Sequence, residues 1–197
     1  MDNDYNDITK VIEIFLHGFR VGYLSYYIAE ELNLNPKLCH EIKTAGYFHD
    51  VGKLLLKPEV LYKTQKLNED ERKHIELHPL YSEYIIKSYI YSDIILDGIR
   101  HHHESCDGSG YPDKLKKNDI SLIARILKVA DVYDALISKR IYRDVSYSSK
   151  EALEIMEGEV QKYDQIVYAA LKSIIDNPKV IYIMYLFNNC FDKILKN

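Results

Sequence analysis

An all-α fold is predicted by three observations. Apolar residues recur at helical spacing through nearly the whole chain, and no stretch shows the strict alternation of a half-buried strand. Residues that start helices stand ahead of the periodic segments. The 197 residues are 47% hydrophobic, enough for one compact unit to bury a core around a polar site.

The elements follow in chain order. Ile8, Val11, Ile12, Phe15, Leu16, Phe19 and Tyr23 repeat every three or four residues and predict a first helix. Asn35 with Pro36 reads as the N-cap and first residue of a second. Asn68 with Glu71 is a capping-box variant, His78-Pro79 marks another start, and Asp119 stands ahead of ISLIARILKVADVYDAL. Leu153, Ile155 and Met156 carry the pattern toward the end. About eight helices result, with irregular stretches near 51 to 58 and 104 to 118. No repeat, linker or low-complexity segment divides the chain, so a single domain over 1–197 is expected.

The net charge of −4 gives no electrostatic footprint for a nucleic-acid polymer. Cys39, Cys106 and Cys190 are odd in number and far apart, which fits neither a disulfide framework nor a thiolate zinc site and points to a reducing cytoplasm. The polar start MDNDYNDITK is unlike a signal peptide. The longest apolar run, VIYIMYLF at 180–187, is too short to cross a bilayer, so a soluble cytoplasmic protein with no membrane partner is expected.

Chemistry is concentrated in a few places. RHHHESCDGSGYP at 100–112 sets three histidines before a turn. Successive helical residues point about 100° apart, so two adjacent imidazoles can reach one cluster while the third faces away. His49-Asp50 ends AGYFHDVGK and, with Lys53, projects an imidazole, a carboxylate and an ammonium from one helix end, although such a dipeptide alone is more often a capped or surface pair. Asp131 interrupts an apolar helix and needs a cation or a partner, for which Arg125 and Lys128 are the ordinary alternatives. His78 by itself reads as a helix-terminal histidine. Glu13 and His17 share a helix face about 100° or more from the centre of the apolar stripe, and pattern alone makes them a solvated pair.

HDVGK at 49–53, HP at 78–79, HHESCDGSGYP at 102–112, ARILKVADVYDAL at 124–136 and RIYR at 140–143 together resemble the ordered motif series of the HD-GYP family. These are bacterial metal-dependent phosphodiesterases that open cyclic dinucleotides, chiefly cyclic di-GMP, within the HD phosphohydrolase superfamily. The resemblance runs from about Glu13 to about Asp164, which leaves C-terminal helices over 165–197 outside the motif-bearing core. It implies a compact helical HD-domain bundle with a metal centre in its core. Metal ligands are implied at His17, His49, Asp50, His78, His102, His103 and Asp131, with His101 outside the cluster. Glu13 resembles the further carboxylate of members that hold three metals. Asp50 and Lys53 are implied to be catalytic, and Lys53, Tyr111, Arg140 and Arg143 to face the dinucleotide. Asp107, Gly108 and Gly110 would shape the loop, and Tyr111 ahead of Pro112 is expected to be extended with its ring outward.

The sequence also departs from the family pattern. Lys114 and Lys117 stand where members carry glycines after the GYP turn, Ser82 replaces a glycine, and Tyr47-Phe48 replaces an alanine-leucine pair. None is an implied ligand, but the two lysines bear on substrate preference.

Imidazole and carboxylate ligands without thiolate suit iron, manganese or zinc. Asp50 could bridge two ions at ~3.5 to 4 Å, the spacing used for phosphoester displacement. Two or three divalent ions are thus expected, with cyclic di-GMP hydrolysed to linear pGpG and on to GMP. Alternatives are another ring such as cyclic GMP-AMP, a different HD-type nucleotide hydrolase, or a non-catalytic cyclic-dinucleotide sensor. The complete ligand set argues against the last and the complete GYP stretch against the hydrolase of another kind. The length matches one such domain, so control is expected from a regulatory protein partner, self-association into a homo-oligomer, expression, or the rest of a longer parent protein.

Overall fold

The computed structural model describes residues 2–89, 92–138 and 146–194, with side chains over 8–89, 92–138 and 146–190. The described residues are helical, without strands. The helices are α1 (Asp2–Glu31), α2 (Pro36–Phe48), α3 (Pro58–Leu61), α4 (Glu69–Ile75), α5 (His78–Lys87), α6 (Asp93–His101), α7 (Leu122–Ile137), α8 (Ser149–Glu157), α9 (Gln165–Ile174) and α10 (Pro178–Ile194). Eight of these have nine residues or more, in line with the sequence pattern. The irregular stretches fall as expected: Val51–Leu55 is a 3-10 turn, and residues 104–118 contain no helix.

Local chemistry sets the boundaries. Asn35 accepts a hydrogen bond from the Leu38 amide, and Pro36 opens α2. Asn68 and Glu71 form a reciprocal capping box, as do Ser148 and Glu151 ahead of α8. The start of α7 differs from the sequence expectation. Ser121, not Asp119, is its N-cap, because Asp119 is held in a turn on the Lys116 carbonyl and Ile120 is tucked into the interior.

Helix α1 is the spine, packed against α2, α7, α9 and α10. Leu24 and Ile28 of α1, Ile42 of α2, Ile99 of α6, Leu127 of α7 and Leu171 of α9 build one continuous core. Its approach to α2 depends on glycine: a Cβ on Gly46 would stand 2.5 Å from the Gly22 Cα. That contact lets His17 of α1 come within 5.0 Å, ring to ring, of His49 at the end of α2. No helix among the described residues is long and apolar enough to cross a membrane.

The loop after Pro112 is pinned by two elements. The buried Glu104 carboxylate accepts from the amides of Asp113 and Leu115 at 2.7 and 3.0 Å, and Arg100 grips Asp113 with two nitrogens at 2.7 and 3.1 Å. Between those anchors Lys114 adopts φ +56, a left-handed conformation disfavoured by any side chain with a Cβ. Lys114→Gly is therefore expected to stabilise the protein by about 1 kcal/mol, raising Tm by ~2 to 4 °C in a calorimetric scan.

Candidate metal centre

Three helix ends supply the first candidate ligands. The last carbonyls of a helix lack intrahelical partners, and here imidazoles take them. His49 donates Nδ1–H to the Gly46 carbonyl at 2.8 Å, His78 to Ile75 at 2.7 Å and His102 to Ile99 at 2.6 Å, each three residues back. A carbonyl can only accept, so Nδ1 carries a proton, and in the neutral ring Nε2 is left as a lone pair. Those lone pairs converge. Nε2 of His78 lies 3.3 Å from Nε2 of His102, 3.1 Å from Nε2 of His103 and 3.2 Å from Oδ1 of Asp50. With the protons of His78 and His102 spent on carbonyls, a cation is what such a meeting of lone pairs accommodates.

A second cluster adjoins it. His17 Nε2 lies 3.3 Å from Asp50 Oδ2 and 3.0 Å from Asp131 Oδ1, while His49 Nε2 lies 3.4 Å from Asp50 Oδ2. Asp50, His78, His102 and His103 form one group able to hold a metal ion, and His17, His49 and Asp50 another. Asp50 belongs to both. His49 Nε2 and Asp50 Oδ1 are buried without a hydrogen-bond partner among the described residues, a costly state for polar atoms unless a ligand meets them. The donor set therefore fits divalent metal ions.

Electrostatics divide the imidazoles. Burial opposes charge on His49, yet the Asp50 and Asp131 carboxylates outweigh it and hold its pKa up at about 10. Burial, joined by the charge of neighbouring imidazoles, pushes His102 and His103 well below the ordinary histidine range. Burial also disfavours the Asp50 carboxylate, but His49 and Lys53 outweigh it and keep the acid ionised. His102 and His103, neutral beside ionised carboxylates, are in the form that binds metal, whereas His49 would give up its Nε2 proton to an entering cation.

The other predicted residues fall as follows. Asp131 meets His17 and lies 3.9 Å from Nδ1 of His103, while Arg125 pairs with Asp164 and Lys128 turns to the His103 carbonyl. The ordinary ion pairs considered for Asp131 are thus replaced by imidazoles. Glu13 and His17 are buried and line one cavity of about 320 Å³ with Asp50 and Lys53, which corrects the solvated pair that the apolar stripe predicts. Glu13 lies outside both metal-holding groups. The Lys53 ammonium contacts Asp50 Oδ2. His101 leaves the cluster, bonded to Asp97 at 2.8 Å and Asp113 at 2.9 Å. The Tyr111 ring is not turned outward: it stacks on His103 with centroids 4.7 Å apart and planes at 27°, since the imidazole offers a flat, partly buried face. In the loop, Asp107 accepts from the Ser109 amide at 2.9 Å and Gly108 takes φ +83. A Cβ on Gly110 would stand 2.4 Å from the Ser105 amide nitrogen. Arg140 and Arg143 lie outside the described residues.

Several residues escaped the sequence reading. Asp134 accepts from His17 Nδ1 at 2.7 Å and from Arg20 at 2.7 and 3.1 Å, and Ser138 donates to it at 2.9 Å. Burial would raise the Asp134 pKa, but the Arg20 guanidinium beside it and His17 drive it far below the carboxylate range. It fixes the His17 tautomer, as a carboxylate behind a metal-binding histidine does. The spacing held a signal, for Asp134 follows Asp131 and Arg20 follows His17 by three residues, on the same helix faces. Ser82, where family members carry glycine, accepts from the Gly52 amide at 2.8 Å and so anchors the turn after Asp50.

A helical cage whose histidines and aspartates converge in two adjoining groups that share Asp50 defines the class of site, a candidate centre for divalent metal ions. The chain belongs to the HD domain family, whose sequence profile matches residues 13–167. It is 38% identical over 146 residues to a 3'3'-cGAMP-specific phosphodiesterase of Vibrio cholerae, a match covering 74% of this chain and 34% of that protein. It is 34% identical over 157 residues to a cyclic di-GMP phosphodiesterase of Pseudomonas aeruginosa, covering 79% of this chain and 38% of the relative. The chain thus spans little more than a third of the length of either relative. Among solved structures, the HDG"Y"P protein Bd1817 of Bdellovibrio bacteriovorus superposes with a TM-score of 0.69 at 22% identity, over 83% of this chain and 53% of that one, and so shares the fold.

Asp134→Asn should weaken metal binding about 10- to 100-fold in chelator competition. It also leaves the buried Arg20 charge uncompensated, so urea melts should show a loss on the order of 3 to 5 kcal/mol. A folded variant with unchanged metal affinity would remove Asp134 from the centre.

Proposed function

We propose that this chain carries a metal-dependent cyclic dinucleotide phosphodiesterase activity, with cyclic di-GMP as preferred substrate, opened to linear pGpG and on to GMP. The observation that carries the reading is the sharing of Asp50 between two histidine clusters, the arrangement that in-line phosphoester displacement needs. The names of the relatives support the substrate class.

Asp50 is assigned the bridging position. His17, His49 and Asp131 would hold one ion with it, His78, His102 and His103 the other, and Glu13 would serve a third. Iron or manganese suits this ligand chemistry, with zinc as the further candidate. Bound divalent ions would supply an activated water and offset charge on the phosphoryl oxygens. Lys53, already against Asp50, adds a cation beside the reacting phosphate. Tyr111, stacked on His103 and lining the adjoining cavity, is assigned to face the dinucleotide, and Arg140 and Arg143 to phosphates or guanine edges. Cyclic GMP-AMP is the second reading, favoured by the Vibrio cholerae relative, and Lys114 and Lys117 beside the GYP turn are the departures that bear on the choice of ring.

Asp50→Ala should abolish both bound metal and turnover, whereas His101→Ala, altering a residue committed to Asp97 and Asp113, should keep both. Glu13→Ala should lower the metal content measured by elemental analysis after anaerobic loading. Comparing kcat/KM for cyclic di-GMP, cyclic di-AMP and mixed GMP-AMP rings decides the substrate. Metal-loaded protein that binds a ring without opening any would be a sensor instead.

A further inference from the structure

A second cavity, of about 540 Å³, opens beside His103 and Tyr111 and shares no lining residue with the one around Glu13 and Lys53. Its apolar walls are Tyr111, Tyr163 and Val132. Lys128 also lines it, on α7 one turn before Val132. Among the described residues the Lys128 ammonium has one polar contact, the His103 carbonyl at 3.5 Å, which also accepts the Tyr111 amide at 3.4 Å. The ammonium is thus tied to the GYP turn while keeping N–H donors for a ligand. The remaining charges are a Glu159–Lys162 ion pair whose side chains stay 51% and 31% exposed, which sets a carboxylate at the mouth of the cavity.

Aromatic walls favour a flat ring, a donor in the wall favours an acceptor edge, and a carboxylate at the mouth favours a donor edge. Guanine carries both, with O6 and N7 accepting and N1–H and the 2-amino group donating. Adenine presents an amino donor where guanine has O6. Resting on the phosphodiesterase reading above, we propose that this cavity is a base subsite in which Lys128 reads guanine through O6 and N7, with Glu159 meeting the N1 and 2-amino donors. Lys128 is a specificity residue here and takes no part in bond cleavage.

The test uses the full chain loaded with metal, in the wild type and in Lys128→Met, Lys128→Arg and Glu159→Gln. Binding of 5′-GMP and 5′-AMP is measured by calorimetry, and kcat/KM on the cyclic dinucleotide panel with metal content checked in each sample. Lys128→Met should weaken 5′-GMP roughly ten-fold and leave 5′-AMP within about two-fold, the scale of one base contact. Lys128→Arg, which retains donors, should recover most of the preference. Glu159→Gln alters an exposed side chain outside the core and should lower the preference without loss of fold. Equal weakening of both nucleotides, or an unchanged ratio in both Lys128→Met and Glu159→Gln, would overturn the assignment. Failure of the phosphodiesterase reading would be seen separately, as a wild type that opens no ring.

Discussion

The Nδ1–H bond from an imidazole to the carbonyl three residues back, made by His49, His78 and His102, is the constraint on which the centre depends. Each bond satisfies a carbonyl at the end of α2, α4 or α6, fixes one tautomer and aims Nε2 inward. The ends of those helices must therefore meet at one place. They bring the negative ends of their dipoles with them, so the backbone itself favours a cation there. The glycine contact between α1 and α2, which delivers His17, follows from the same requirement.

The rest of the interior compensates for this concentration of polar groups. Asp134 is bound by Arg20, His17 and Ser138, and Glu104 by two amides of the loop after Pro112. Buried charges persist when they are paired and hydrogen-bonded, and each of these is. Asp50 instead meets Lys53 and four imidazoles, and its Oδ1 has no hydrogen-bond partner among the described residues. The loop that carries Tyr111 is thus fixed through Glu104, and the carboxylate at the heart of the site is held by ligand-type neighbours instead of the scaffold.

What was legible in the sequence was local. Helical spacing predicted the fold class, and Asn35, Asn68 and Glu71 predicted helix starts that the structure contains, because caps act within a few residues. The face of α1 was not legible. Its apolar stripe predicts burial of Ile8, Val11 and Phe19, all of which are exposed, while Thr9, Glu13, His17 and Arg20 are buried. Periodicity assumes that buried means apolar, and the assumption breaks where a helix spends its inner face on a polar centre. Asp134 was missed for a related reason, since a second buried aspartate three residues after the first looks like surface polarity until His17 and Arg20 of α1 are placed against it. The Tyr111 ring depended on a stacking partner that no local rule supplies.

The membership of Asp50 in both clusters makes their occupancies thermodynamically linked. A cation seated between His17 and His49 would draw Oδ2 of Asp50 away from Lys53, and one seated among His78, His102 and His103 would claim Oδ1 of the same carboxylate, so either would fix the orientation that the other needs. Two such positions would fill in macroscopic steps that belong to the pair, not with two separate affinities. Lys53 would enter the balance as a competitor for Oδ2, a monovalent stand-in that a cation between His17 and His49 has to displace.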